Sequence, residues 1–444
     1  MSHNQLLILY LPITACLPGL LSWYVGFSLL GPSTTRTACR AAAQTQPAHS
    51  VRANRSGALF YVTLVVMFMF GLSACLALVF WNEQDRVPSL RPLITWGFTV
   101  MATLLTSAAL LLMRDAARGV AWLLVRLRVG RRAPGSNTPT LRYARCWRLS
   151  SWVILFAAVG CVIAGHHVAV SRPSVRHVKV VLQRLPSSFS GFRVAHLTDI
   201  HIHGRPDRER IRALVAQVND LHVDLVAITG DVVDGALDDL RTELAALGAL
   251  HAPYGVHAAV GNHEYYADVD ACVQEFRRLG QTVLLNEHVL VRKGSDAIVI
   301  AGVTNPQRGM HGARFSGVQG QVARMASSPE QALKGAPPGV PRILLAHQPR
   351  SVAEARGLGV DLALTGHTHG GQFFPWDLAA GLVFPYATGL SREGAMQVFV
   401  GRGIGTFGPA TRLGSAPEIT VFELVPGSDA PQLQAGPDGL GHVR

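Results

Sequence analysis

The sequence predicts an α/β domain that follows a bundle of membrane-spanning helices. Three observations predict it. The first 172 residues contain four uncharged apolar runs. That half holds 16 Lys and Arg against 3 Asp and Glu, whereas the remainder holds 24 against 25. After Pro173, short apolar segments alternate with helical ones, and five of the apolar segments end in Asp, Asn or His.

The apolar runs are Leu6–Leu30, Ala58–Phe80, Leu93–Met113 and Trp152–Val170. A helix needs about 20 apolar residues to cross roughly 30 Å of hydrocarbon, so each run is read as a span. The segment before the first run has no Lys or Arg, which argues against a signal peptide. Arginine is concentrated in the 31–56 loop (Arg36, Arg40, Arg52, Arg55) and in the 114–149 loop, with only Arg86 and Arg91 between 81 and 92. Basic loops stay on the cytoplasmic side. Four spans then place the N-terminus and everything after residue 170 outside, which in a bacterial inner or cell membrane makes the second half extracytoplasmic. His166 and His167, near the end of the fourth run, are read as interfacial. The stretch 114–132 reads equally as a basic amphipathic helix on the inner leaflet or as a solvated loop.

The charge balance of the second half excludes a nucleic-acid binder, because phosphate backbones are held by excess positive charge. Cys272 is its only cysteine, so it has no internal disulfide, and no Cys-x-x-Cys exists to hold zinc.

The α/β domain is expected over 176–425, with 426–444 as a flexible tail. VRHVKVVLQRL alternates and leads in as a strand, and GFRVAHLTDIH is an apolar strand with a charged end. PDRERIRALVAQVNDL has helical spacing, with Ile211, Leu214, Val215 and Val218 on one face. Strand DLVAITGDVVDG and helix DDLRTELAAL follow, then strand YGVHAAVGNHEYY and helix DVDACVQEFRRLG, which Gly280 ends. TVLLNEHVLVRKGSDAIVIAGV gives further strands with a turn at 293–295, and RILLAHQP and DLALTGHTHGG are strands that end in histidine. MQVFVGRG and EITVFELV close the domain.

Ligands of open α/β sheets bind beyond the carboxyl ends of the strands. Here those ends deliver Asp199, His201, Asp231, Asn262, His263, His347, His367 and His369. Helix capping explains one Asp or Asn after a strand, but not this composition at five ends. Carboxylate, imidazole and amide donors without thiolate suit Mn, Fe, Zn or Mg. Their number exceeds the needs of one ion and fits two divalent ions that share a carboxylate, an arrangement that clamps the oxygens of a phosphoryl transfer.

The ordered motifs D-x-H, G-D-x-x-D, G-N-H-E, a single His and G-H-x-H across 199–369 resemble the calcineurin-like metallophosphoesterase superfamily. The forms GHTHGGQ and GRGIGTFGPATRL are most similar to its YkuE-like and YaeI-like bacterial branch. The resemblance implies a four-layer α/β/β/α sandwich. It also implies that Asp199, His201 and His369 hold one metal ion, that Asn262, His347 and His367 hold a second, and that Asp231 bridges them. His263 would assist the leaving group, with Asp234 orienting it. The implied activity is hydrolysis of a phosphate ester by a hydroxide bridging the metals. The substrate is expected to be a phosphodiester or a lipid or cell-envelope phosphoester near the membrane. Gly235 stands where protein phosphatases of the superfamily carry Arg, which counts against that activity, and His263 counts against the branch that hydrolyses UDP-diacylglucosamine. The other class of function is a membrane sensor or transporter whose domain only binds phosphate; the complete donor set and the charge-free spans oppose it.

Weaker expectations concern residues outside the motifs. His203 is a loop residue or a substrate contact, and His196 a packed one. Arg402 and Arg412 are surface residues or phosphate contacts. Phe373, Phe374 and Trp376 belong to loop packing or to an apolar groove that faces the bilayer. Gly230 and Gly261 suit sharp turns beneath the metals.

Overall fold

In the computed structural model the apolar runs at 93–113 and 152–170 are parts of longer helices. The structure describes residues 18–30, 67–69, 71–73, 76, 91–129, 141–203, 207–305, 321–322 and 325–427. Helix α1 is Pro18–Leu30, α2 is Arg91–Val129 and α3 is Leu141–Ala169. Among the described residues two helical stretches, Pro92–Val125 and Cys146–Ala169, are long and apolar enough to cross a membrane. The start of the first apolar run, most of the second, and all of the tail after Gly427 lie outside the described residues. No break separates the third run from the basic stretch after it, since α2 continues to Val129. Where the run ends, Arg114 donates to Asp115 (2.8 Å) and Ser151 (2.6 Å) and lies over the Trp147 ring, while Tyr24 donates to Asp115.

The chain divides into two compact units that do not follow chain order. The helical unit includes Gly371–Val383 and Thr406–Ala416, both from within the span expected for the α/β domain. Phe373 packs against Ala102 of α2 and Val162 of α3. Thr106 Oγ1 donates to the Phe374 carbonyl (3.0 Å) and the Arg412 amide to that of Gly165 (2.8 Å). A Cβ on Gly165 would stand 2.1 Å from Thr411 Oγ1, so this approach requires glycine.

Among the described residues the other unit holds twelve strands in two sheets. Strands β1 (Ser174–Leu182), β2 (Arg193–Leu197), β3 (Leu225–Thr229), β4 (Val256–Ala259), β5 (Thr282–Val283) and β12 (Glu418–Pro426) form one, in the order β1-β12-β2-β3-β4-β5. Strands β6 (Glu287–Lys293), β7 (Asp296–Gly302), β8 (Arg342–Leu345), β9 (Leu362–Thr365), β10 (Gly389–Glu393) and β11 (Met396–Val400) form the other, in the order β10-β11-β9-β8-β7-β6. The central pairs β2–β3, β3–β4, β7–β8 and β8–β9 are parallel.

Side-chain alternation assigns the layers. Leu225 and Ala227 of β3 share a core with Ile298, Ile300, Ile343, Leu345, Leu362 and Leu364 of the second sheet. Val226 and Ile228, which point the other way, pack on Ile211, Leu214, Val215 and Val218 of the helix Arg208–Asp220. On the far side, Val299, Ala301, Leu344 and Ala363 cover a separate core with Ala332 and Val352. Sheets face each other and helices lie outside, which buries both faces of the parallel strands and accounts for their unbroken apolar sequence.

Candidate metal centre

Both sheets contribute donors, all from just beyond the carboxyl ends of strands. Asp199 and His201 follow β2, Asp231 follows β3, and Asn262 and His263 follow β4; His347 follows β8, and His367 and His369 follow β9. All the sequence-predicted site residues except His367 are buried, and His367 is half-buried.

Local backbone geometry aims them inward. Asp199, His201, Asp231, His367 and His369 all have positive φ, between 45° and 73°. That region costs a non-glycine residue of order 1 kcal/mol, and such residues persist where the surroundings enforce them. The enforcing bonds are present. Thr198 Oγ1 and the His367 amide both donate to the Asp199 carboxylate. The Glu264 carboxylate accepts from the amides of Gly261 (2.6 Å), Asp231 (3.0 Å) and Val232 (2.7 Å). Glu264 is thus the strut beneath Asp231, a role that sequence reasoning missed although the residue stands inside GNHE. The loops after β3 and β4 approach so closely that a Cβ on Gly230 would lie 2.3 Å from the Gly261 nitrogen.

The donors form overlapping groups. Asp199, His201 and His369 make one, and Asp231, His347 and His367 another; Asp231 also groups with His201 and His263. His201 Nε2 lies 3.1 Å from His369 Nε2, which is 3.3 Å from Asp199 Oδ1. His347 Nε2 lies 3.0 Å from Asp231 Oδ2. Two donors each about 2.1 Å from one ion at tetrahedral or octahedral angles stand roughly 3.0–3.4 Å apart, so these spacings fit divalent cations. Asn262 Oδ1 is buried with no hydrogen-bond partner among the described residues, as a metal-ligating amide oxygen would be. His347 Nδ1 bonds to the Thr229 carbonyl (2.8 Å), which turns Nε2 toward Asp231.

Electrostatics separate the histidines. Burial pushes His201 down, and burial together with the charge of His347 pushes His367 down to about 3; both are neutral donors at pH 7. Burial opposes charge on His347 and His263 too, but Asp231 with Asp199 offsets it at His347, and Asp231, Asp234 and Glu264 together offset it at His263, so both rise to about 9. Asp231 and Asp234 are held well below the usual carboxylate range despite burial, Asp231 by His347 and His263, Asp234 by His263 and His203.

His263 Nδ1 lies 3.1 Å from Asp234 Oδ1, and its Nε2 lies 4.0 Å from Asp231 Oδ2. Asp234 also reaches His201 (3.5 Å) and His203 (3.4 Å). His203 is therefore turned toward the cluster, with its ring stacked on that of His201. His196 is buried between Phe399 and Phe422 and bonds to Thr229 Oγ1. Arg412 is fully buried and donates to the Ser415 carbonyl, which removes it from any surface phosphate site.

Two facing sheets that present Asp, Asn and His donors at their parallel strand ends define a scaffold for divalent metals. The chain belongs to the calcineurin-like metallophosphoesterase family. The family model described as calcineurin-like phosphoesterase matches residues 192–371. An uncharacterized metallophosphoesterase of Helicobacter pylori is 30% identical over 280 residues, 62% of this chain and 70% of that protein. A Danio rerio transmembrane protein with metallophosphoesterase domain is 35% identical over 263 residues, 58% of each chain. The uncharacterized metallophosphoesterase YkuE of Bacillus subtilis is 26% identical over 248 residues, 54% of this chain and 81% of that protein. The chain thus spans little more than half the length of its Danio rerio relative.

Proposed function

We propose that this protein is a membrane-anchored, metal-dependent phosphoesterase whose hydrolase domain is extracytoplasmic. The observation that carries the proposal is that Asp231 groups with His347 and His367 and also with His201, which in turn groups with Asp199 and His369. In this reading Asp199, His201 and His369 would hold one divalent ion, Asn262, His347 and His367 would hold another, and Asp231 would serve both. The bound ions would supply Lewis acidity and lower the pKa of water at the phosphorus. The protein supplies the proton. His263, whose pKa its carboxylate neighbours raise in the ion-free site, would carry it on Nε2 and give it to the leaving oxygen as the P–O bond breaks. Asp234 holds Nδ1 and keeps the ring aimed. The apolar helices and the transmembrane naming of relatives support the anchor, and the arginine-rich stretches at 31–56 and 114–149 support the orientation.

Hydrolysis of bis(p-nitrophenyl) phosphate by the purified full chain with added Mn tests this. Chelation should abolish turnover and Mn should restore it. A chain that binds phosphate and two ions without turnover would favour the sensor reading instead. Alkaline phosphatase fused at the C-terminus should be active in cells, and a fluorescent GFP fusion there would refute the orientation.

A further inference from the structure

The helical unit contains a cavity of about 350 Å³ with a wholly uncharged lining drawn from α1, Met67, α2 and α3. Its two hydroxyl-bearing residues are turned away from any ligand, because Thr99 Oγ1 donates to the Thr95 carbonyl and Thr103 Oγ1 to that of Thr99. The lining therefore offers almost entirely aliphatic and aromatic surface, with the Trp96 indole N–H as its one remaining side-chain donor and no charge to recognise an anion. A volume within the roughly 300–1,000 Å³ of ligand sites, with so little polar lining, suits a hydrocarbon chain. Three of the lining residues, Trp96, Phe156 and Ile163, are more than half exposed. The mouth thus opens on the exposed faces of the two helices long and apolar enough to cross a membrane, faces that the membrane-anchored reading sets in lipid.

A second observation lies in the segment that follows the last donor in the chain. Val162 lines it and also packs against Phe373. Phe373 follows His369 by four residues, a chain length of at most about 14 Å. The same segment continues into the helix Trp376–Val383, whose Trp376, Leu378, Leu382 and Val383 are all exposed, Leu382 at 90%. An unpartnered apolar surface in the unit that carries the spans is accounted for by acyl chains around it.

We propose that the cavity between α2 and α3 is a binding site for one hydrocarbon chain of a membrane lipid, and that the substrate is a lipid phosphoester taken from the bilayer. The substrate half of the proposal rests on the phosphoesterase reading; the cavity half does not. The occupant is a lipid chain and not a second copy of the protein, because the lining is concave and continuous with lipid-facing surface.

The test uses the full chain in nanodiscs that contain phosphatidylglycerol with a diazirine in one acyl chain. After photolysis, label should concentrate several-fold in peptides covering 92–106 and 155–163. It should fall at least fivefold in Val159→Trp, which fills the cavity, and in Leu104→Trp, each checked for unchanged Tm and metal content. In parallel, KM for a phosphatidylglycerol substrate should rise tenfold or more in both variants, while kcat/KM for bis(p-nitrophenyl) phosphate stays within twofold. Label spread evenly along α2 and α3, or unchanged in both variants, overturns the cavity site whatever the hydrolase assays give. A protein dimer crosslinked through this face, and lost in Val159→Trp, overturns it too. Cavity labelling with no hydrolysis of either substrate by the wild type overturns the substrate half and the phosphoesterase reading together. Equal losses on both substrates overturn the substrate half alone.

Discussion

His367 and His369 stand two residues apart, yet the structure places them in different donor groups. In the His369 group, His201 is pushed down by burial and offers a free lone pair at neutral pH. In the His367 group, His347 is anchored through Nδ1 and carries a proton up to about pH 9 because it faces Asp231. Two sites built from the same residue types thus start in different protonation states. The difference comes from how far carboxylates offset burial: burial wins at His201 despite Asp234 and Asp231, whereas Asp231 at 3.0 Å holds the proton on His347, and Asp231 also groups with His201.

The strongest way to break this comparison is to remove the junction. Asp231→Ala should lower kcat by at least about 10³-fold and deplete both ions, because one carboxylate serves both groups. Metal analysis alongside single-turnover assays checks it; retention of both ions would show that the groups do not share Asp231. Next in size, His263→Gln should lower kcat by roughly 10²–10⁴-fold and leave metal content unchanged, as expected for a proton donor that is not a ligand. The loss should be smaller for p-nitrophenyl esters than for alkyl esters, whose leaving groups need the proton more.

The protonation difference can be read directly. A cation must displace the proton from His347, so between about pH 6 and 9 binding at that site should release about one proton and tighten about tenfold per pH unit. The His369 group should lack this steep dependence. Titration calorimetry in two buffers of different ionisation enthalpy measures the proton count.

Smaller effects test the supports. Glu264→Gln weakens charge-assisted bonds to three amides under Asp231 and should cost about 2–3 kcal/mol of stability. Thermal melting of the ion-free protein measures it. His196 gives the acid limb. Burial pushes it down to about 3 in the fold, against 6.5 as its ordinary value. The unfolded chain therefore takes up a proton first, so the contribution is full above pH 6.5 and is lost as pH falls toward 3. The loss should reach about 2 kcal/mol by pH 5, and His196→Asn should flatten that limb in urea melts.

Much of the α/β unit could be read from the sequence for one physical reason. Parallel strands buried on both faces are short and apolar, so the polar residue that ends each run marks the site; Asp199, Asp231, Asn262, His347 and His367 all stand out in this way. The left-handed backbone at five donors left only a faint mark, since Asp and His favour it far less distinctively than glycine does. Glu264 was hidden because its partners are backbone amides on another loop. The docking of Gly371–Val383 and Thr406–Ala416 on the apolar helices was hidden for a similar reason: it depends on Phe373 meeting Ala102 and Val162, contacts between distant segments that no local pattern encodes.

The central claim, that adjacent histidines serve separate ions across a shared Asp231, is tested most directly by metal content measured on three proteins. The account predicts about two equivalents of divalent metal in the wild type and about one in each of His367→Ala and His369→Ala, with the remaining ion showing the pH-dependent affinity only in His369→Ala. A single equivalent in the wild type, or identical residual sites in the two variants, would contradict it.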